Sequence, residues 1–135
     1  MAGTATIRQS ISITDLGSVP TLAETFTIAD VDEQIYQVRS LSGTTAEAIS
    51  FGSVATTSTQ GVAIRLISGG TAVGEGLGID MVTAGYTSTA ADLPHAELLQ
   101  GEMMWWRPSS ATPLLSVKNL SSSVCTYEYV LWGEA

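Results

Sequence analysis

A two-residue alternation of apolar and polar side chains recurs along this chain, and it limits the fold more than any other feature. From Thr4 to Thr14, Ile7, Ile11 and Ile13 share one parity, while Thr6, Arg8, Ser10, Ser12 and Thr14 take the other. Successive side chains of a strand point to opposite faces, so this is the pattern of a half-buried β-strand. After a break at Leu16 to Pro20, Leu22, Phe26 and Ile28 line one face of a second run, with Thr21, Ala23, Thr25 and Thr27 opposite. The spacing predicts further strands at Ile35–Leu41, Ala46–Phe51, Val62–Ile67, Leu77–Met81, Leu114–Leu120 and Ser123–Trp132. Ser42-Gly43-Thr44 reads as a tight hairpin turn, Gly69-Gly70 as a strand end, and Asp30, Asp32 and Glu33 as an acidic loop. Thr83 to Ala91 reads as polar loop. The one candidate helical turn is Asp92 to Leu99, where Asp92 is placed to cap and Pro94 lies near the start.

Eight to ten short strands without crossover helices cannot form a parallel sheet. The expected fold is all-β, an antiparallel β-sandwich or jelly roll. Residues 1–135 form a single domain in this reading, with residues 1–20 as an extended N-terminal arm or first strand, and Ile64, Leu66, Ile79 and Val117 are placed in the core. Composition agrees: 44% of the residues are hydrophobic, and about a quarter are Ser or Thr, which suit strands and turns. Only 13% are charged, with 13 acids against 5 bases for a net charge of −8. That balance argues against nucleic acid and against an anionic membrane surface, both of which call for basic patches. Met1 to Ile13 has no apolar stretch behind a basic start, so no signal peptide is expected. Cys125, the sole cysteine, lies in an apolar alternating stretch and reads as a small buried hydrophobe.

The residues that carry chemistry are sparse. His95 is the only histidine, with Asp92 and Glu97 near it in sequence, and no Gly-x-Ser-x-Gly elbow accompanies it. It reads as a loop histidine, so no catalytic residue is expected. Asp92, His95, Glu97 and Glu102 fall short of the several His or Cys that zinc sites use. The loop at Asp30-Val31-Asp32-Glu33 lacks the spacing and glycine of an EF-hand. No metal or other cofactor is expected. Gly74-Glu75-Gly76-Leu77-Gly78 only brushes a dinucleotide fingerprint, since Glu75 would repel phosphate and no helix follows. Asn119-Leu120-Ser121 fits the glycosylation pattern, which without a secretory signal reads as chance.

Two features point instead to contact surfaces. In a strand, Trp105 and Trp106 must face opposite ways, and Met103 shares the parity of Trp105. Three readings of this aromatic run stay open: burial of both faces within one sandwich, a partner interface, or a platform for sugar rings. Gly74, Gly76 and Gly78 share one parity and leave a strand face bare, open to a close backbone or a twisted edge. The candidate interface residues are therefore Met103, Trp105, Trp106, Gly74, Gly76 and Gly78.

Across about residues 35–132 the chain resembles the capsid decoration (cement) proteins of tailed bacteriophages and related small virion β-sandwiches. The resemblance rests on Phe51-Gly52-Ser53-Val54, Val62-Ala63-Ile64-Arg65-Leu66 and Leu98-Leu99-Gln100-Gly101-Glu102, with the closing runs Val117-Lys118-Asn119-Leu120 and Tyr127-Glu128-Tyr129-Val130-Leu131. Gln100 stands where such proteins often carry a proline before the Gly-Glu step. The resemblance implies a non-enzymatic virion protein on the outer capsid surface, a homotrimer assembled in the host cytoplasm and clamping neighbouring copies of the major capsid protein. A tail-tip or fibre module binding a host glycan is the alternative, and a small hydrolase a remote one.

Overall fold

The computed structural model describes residues 2–11, 22–80, 96–108 and 115–134. The break at Leu16 to Pro20, the loop at Thr83 to Ala91, and Asp92, Pro94 and His95 lie outside them. Ten strands make up the described chain: β1 (Gly3–Ile11), β2 (Leu22–Val31), β3 (Glu33–Leu41), β4 (Ala46–Ala48), β5 (Thr59–Ser68), β6 (Leu77–Asp80), β7 (Ala96–Leu98), β8 (Met103–Trp106), β9 (Ser116–Asn119) and β10 (Cys125–Gly133). A single 3-10 turn, Thr56–Ser58, precedes β5. All strand pairs are antiparallel, as expected of an all-β chain.

The pairing is nested. β3 pairs with β10, β4 with β9, β5 with β8 and β6 with β7, so the chain runs out and back as one long antiparallel hairpin. Two more ladders, β10 with β5 and β9 with β6, roll that hairpin into two four-stranded sheets. Their orders are β3-β10-β5-β8 and β4-β9-β6-β7, the strand order of a jelly roll. β1 and β2 form a separate two-stranded ribbon.

Alternation decides what lies between the sheets. Val62, Ile64 and Leu66 of β5 face inward beside Tyr127, Tyr129 and Leu131 of β10, and meet Leu77, Ile79 and Val117 of the second sheet. These nine side chains are at most 2% exposed, so the four residues placed in the core from sequence are all there. Cys125 is buried in the same cluster, as its setting in the sequence implied.

Three local expectations are corrected. Ser42-Gly43-Thr44 does not close a hairpin: β3 and β4 belong to different sheets, and the segment carries the chain across. Gly43 is needed there because a Cβ would come 2.3 Å from the carbonyl oxygen of Ser122. Ala96–Leu98 is a strand rather than part of a helical turn, since the free edge of β6 offers it a ladder. Asp30 to Glu33 is not a loop: β2 and β3 are separated by Asp32 alone. Asp30 adopts a left-handed φ of 58°, a conformation Asp tolerates better than most residues, where the β1–β2 register shifts.

Asn119, fully buried at the end of β9, ties the closing turn to the crossing segment. Its amide nitrogen donates to the carbonyls of Leu41, Ser42 and Ser123 at 3.0, 3.3 and 2.6 Å. Its carbonyl oxygen accepts from the backbone nitrogen and hydroxyl of Ser121. The glycosylation-like triplet is thus a structural corner whose acceptor nitrogen is already engaged. Asn119→Ala should cost about 1–3 kcal/mol for each buried carbonyl left without a donor, read as a drop in the urea midpoint at unchanged slope.

Candidate interaction surface

β8 is an edge strand whose register fixes its side chains: Trp106 lies opposite Val62, Trp105 opposite Ala63, Met104 opposite Ile64 and Met103 opposite Arg65. Trp106 and Met104 therefore turn inward and pack on the core. Trp105 turns outward onto the face of the β3-β10-β5-β8 sheet that points away from the sandwich, and packs on a second, smaller cluster.

That second cluster is built by the N-terminal ribbon. Ile7 of β1 and Ile28 of β2 bury themselves against Trp132, with Ala5, Val31, Ala63, Trp105 and Val130 around them. The indoles of Trp105 and Trp132 stack at 6.4 Å with 28° between their planes. Trp132 lies over Gly61, its cross-strand neighbour, where a Cβ would stand 2.0 Å from the ring. Glycine at this position lets the indole lie flat on the sheet and makes the seat for the ribbon. Part of the apolar outer face is thus covered within the chain itself.

The cover is incomplete. A groove of about 520 Å³ runs between β1 and the sheet, lined by Thr6, Ile7, Arg8, Ala63, Met103, Trp105, Val130 and Trp132. On the same face Met103 is 67%, Tyr36 61% and Val38 52% exposed. Among them Glu128 accepts a hydrogen bond from the Tyr36 hydroxyl and an ion pair from Arg65. The Tyr36 hydrogen bond, joined by the charge and hydrogen bond of Arg65, holds the Glu128 carboxyl below the usual carboxylate range against the opposing effect of burial. The outer face is therefore mixed: the Glu128–Arg65 pair stands between Val38 and Met103 in one rung, and Ser40 with Thr126 makes a polar rung beside it.

The candidate glycines sit elsewhere. β6 begins at Leu77, so Gly74 and Gly76 belong to the turn before it, and only Gly78 lies in the strand. A Cβ on Gly76 would stand 2.3 Å from the Leu98 carbonyl oxygen, so the close backbone approach is made by β7 of the same chain. Glu97 Oε1 accepts from the backbone nitrogens of Gly74 and Gly76 at 2.8 and 2.9 Å. Glu102 accepts from the Leu99 nitrogen at 2.7 Å. Glu33 accepts from the Ser53 hydroxyl at 2.7 Å. These carboxylates hold loops in place, and among the described residues no three His, Cys, Asp or Glu side chains gather as a metal site. Burial pushes the Cys125 thiol up, away from the reactive thiolate.

One polar cluster was invisible in sequence. Glu47 of β4 accepts from Arg39 of β3, at 3.1 Å to Oε2, and from the Tyr127 hydroxyl of β10, bridging the two sheets at their margin. Burial pushes the Glu47 carboxyl up, but the hydrogen bonds from Arg39 and Tyr127 and the Arg39 charge outweigh it, leaving it below its ordinary value. Burial, then the bond to Glu47, pushes the Tyr127 hydroxyl well above the usual tyrosine range. No family model, curated protein or solved structure matches the chain.

Two outcomes follow for experiment. A carboxyl with a lowered folded pKa adds stability that is present above its unfolded pKa and lost as pH falls through the folded one. A tyrosine with a raised pKa adds stability that is present below its unfolded pKa and lost as pH rises toward the folded one. Melting temperature should accordingly fall below about pH 4.5 and again above about pH 10. Glu47→Gln should blunt the acid limb, and Tyr127→Phe the alkaline limb. Separately, Gly61→Ala should displace the Trp132 indole and unseat the ribbon, which tryptic cleavage after Arg8 should report as faster than in the parent.

Proposed function

We propose that this chain is a non-enzymatic structural protein of a bacteriophage virion, decorating and stabilising the capsid. It sits on the outer capsid surface as a homotrimer that clamps neighbouring copies of the major capsid protein, having assembled in the host cytoplasm. The observation that carries the reading is the outer face of the β3-β10-β5-β8 sheet. There the seated ribbon leaves Met103, Tyr36 and Val38 in water beside an open groove. Large apolar side chains left exposed beside a groove in this way, with the Arg65–Glu128 pair among them, combine the apolar and polar contacts of a protein interface. The jelly roll is compatible with this role, since it is an architecture that capsid proteins use, although lectin domains use it too. The low charge and abundant hydroxyls suit broad, closely packed polar contacts around such a centre.

A second reading is supported by the stacked pair Trp105 and Trp132 at the groove wall. Trp132 is buried under the ribbon, so the half-buried Trp105 is the ring that would meet a sugar, and the chain would then be a glycan-binding module of a tail tip or fibre. Copy number separates the two. Quantitative mass spectrometry of purified particles, referenced to the major capsid protein, should find this chain in proportion to the capsid lattice. A handful of copies per particle would overturn the capsid reading in favour of the tail.

A further inference from the structure

The ribbon leaves one edge of β1 free, and the groove opens along that edge. Among the described residues β1 pairs only with β2, and no other backbone hydrogen bond reaches Thr6, Ile7 or Arg8. A strand laddered on one side turns the N–H and C=O groups of alternate residues away from its partner. Thr6, Ile7 and Arg8 form one wall of the groove of about 520 Å³, and the described residues lining the rest come from β5, β8 and β10, none from β2. The groove thus lies on the side of β1 away from β2. Its floor is the outer sheet face, where Ala63 and Trp105 stand beside the exposed Met103. A free ladder edge beside an apolar floor suits an extended peptide, whose main chain binds main chain while alternate side chains enter the pocket.

Register then fixes what such a peptide carries. Directly opposed residues of paired strands share a face, so the peptide residue opposite the buried Ile7 turns down onto Ala63 and Trp105. Its neighbour in the peptide, opposite Arg8, turns the other way, off the sheet. Across the ribbon Arg8 faces Thr25, which brings no charge. Arg8 is also the one charged residue among the described residues lining the groove, on a protein whose net charge is −8. A carboxylate next to the apolar anchor would set an opposite charge across the strand from Arg8. We propose that the groove binds an extended segment of a partner protein, which adds a third strand to the ribbon along β1, seats an apolar side chain on Trp105 and Ala63, and sets an acidic one against Arg8. The inference rests on the reading of this face as a protein contact and names what the partner supplies. A sugar ring could use the face of Trp105, but it has no row of donors and acceptors at strand spacing to match the edge of β1.

Selection from a displayed library of random linear peptides, with the full chain as bait, tests this. The retained peptides should share an apolar residue with an aspartate or glutamate beside it. A synthetic peptide of the retained sequence should bind Arg8→Glu about fivefold more weakly, as for an exposed ion pair, and recover when its acid is changed to lysine. Trp105→Ala should weaken it about tenfold. Should that variant lose the circular dichroism of the parent, Met103→Ser, at an exposed position, replaces it and should also weaken binding. Strand addition has its own signature: N-methylation of the peptide amides should abolish binding at one parity and leave it at the other. No enrichment, retained peptides without the acidic neighbour, or equal tolerance of methylation at both parities would each overturn the proposal. So would a chain that takes neutral oligosaccharides from a glycan array and no peptide. Peptide binding by a chain present in a handful of copies per particle sinks the capsid reading and spares this one. Copies in proportion to the lattice, without peptide binding, do the reverse.

Discussion

Everything in this molecule hangs on the register of β10. Its nine residues form ladders on both sides, with β3 and with β5, and their alternation serves two clusters at once. Tyr127, Tyr129 and Leu131 enter the sandwich, while Val130 and Trp132 build the seat for the ribbon. A slip of one residue would exchange these sets and put a glutamate and a threonine between the sheets. The register is held on one side by volume, through Gly61 beneath Trp132, and on the other by the Tyr127 hydroxyl reaching Glu47 across the sandwich.

Much of this was legible in the sequence. The alternation in β1, β2, β5 and β10 is strong because each strand has faces of unequal polarity. Where that asymmetry fades the reading fails. Ala96-Glu97-Leu98 is too short to show a period, and the preceding Asp and Pro suggested a helix start; its strand state comes from the edge of β6, which no local pattern reveals. Ser42-Gly43-Thr44 has the residues of a hairpin, but its path is set by Ser122, far along the chain.

The candidate surface divides in the same way. That Trp105 and Trp106 face opposite directions follows from strand geometry alone, and the register with β5 assigns which is inward. That the cover over Trp105 is partly the chain's own ribbon could not be read, because it depends on which faces meet. Gly74 and Gly76 were drawn into a strand by their parity with Gly78, whereas Gly74, with a φ of 86°, and Gly76 shape a turn that Glu97 fastens. The Arg39–Glu47–Tyr127 cluster joins residues from three strands and has no signal in spacing.

The nested pairing has a consequence for how the chain comes to be folded. Among the described residues β3 pairs only with β10, and β4 only with β9, so the first sandwich strands in the chain wait for the last. Contacts of such high sequence separation fold slowly. Through that interval the inward side chains of β5 and the open edges of its neighbours stand in water, where unpaired strands tend to associate. The β1–β2 ribbon differs in that both strands of its ladder precede every sandwich strand in the chain. A lone two-stranded ribbon is only marginally stable in water, so the arm gains its seat when Val130 and Trp132 arrive, and the last strand completes ribbon and sandwich together.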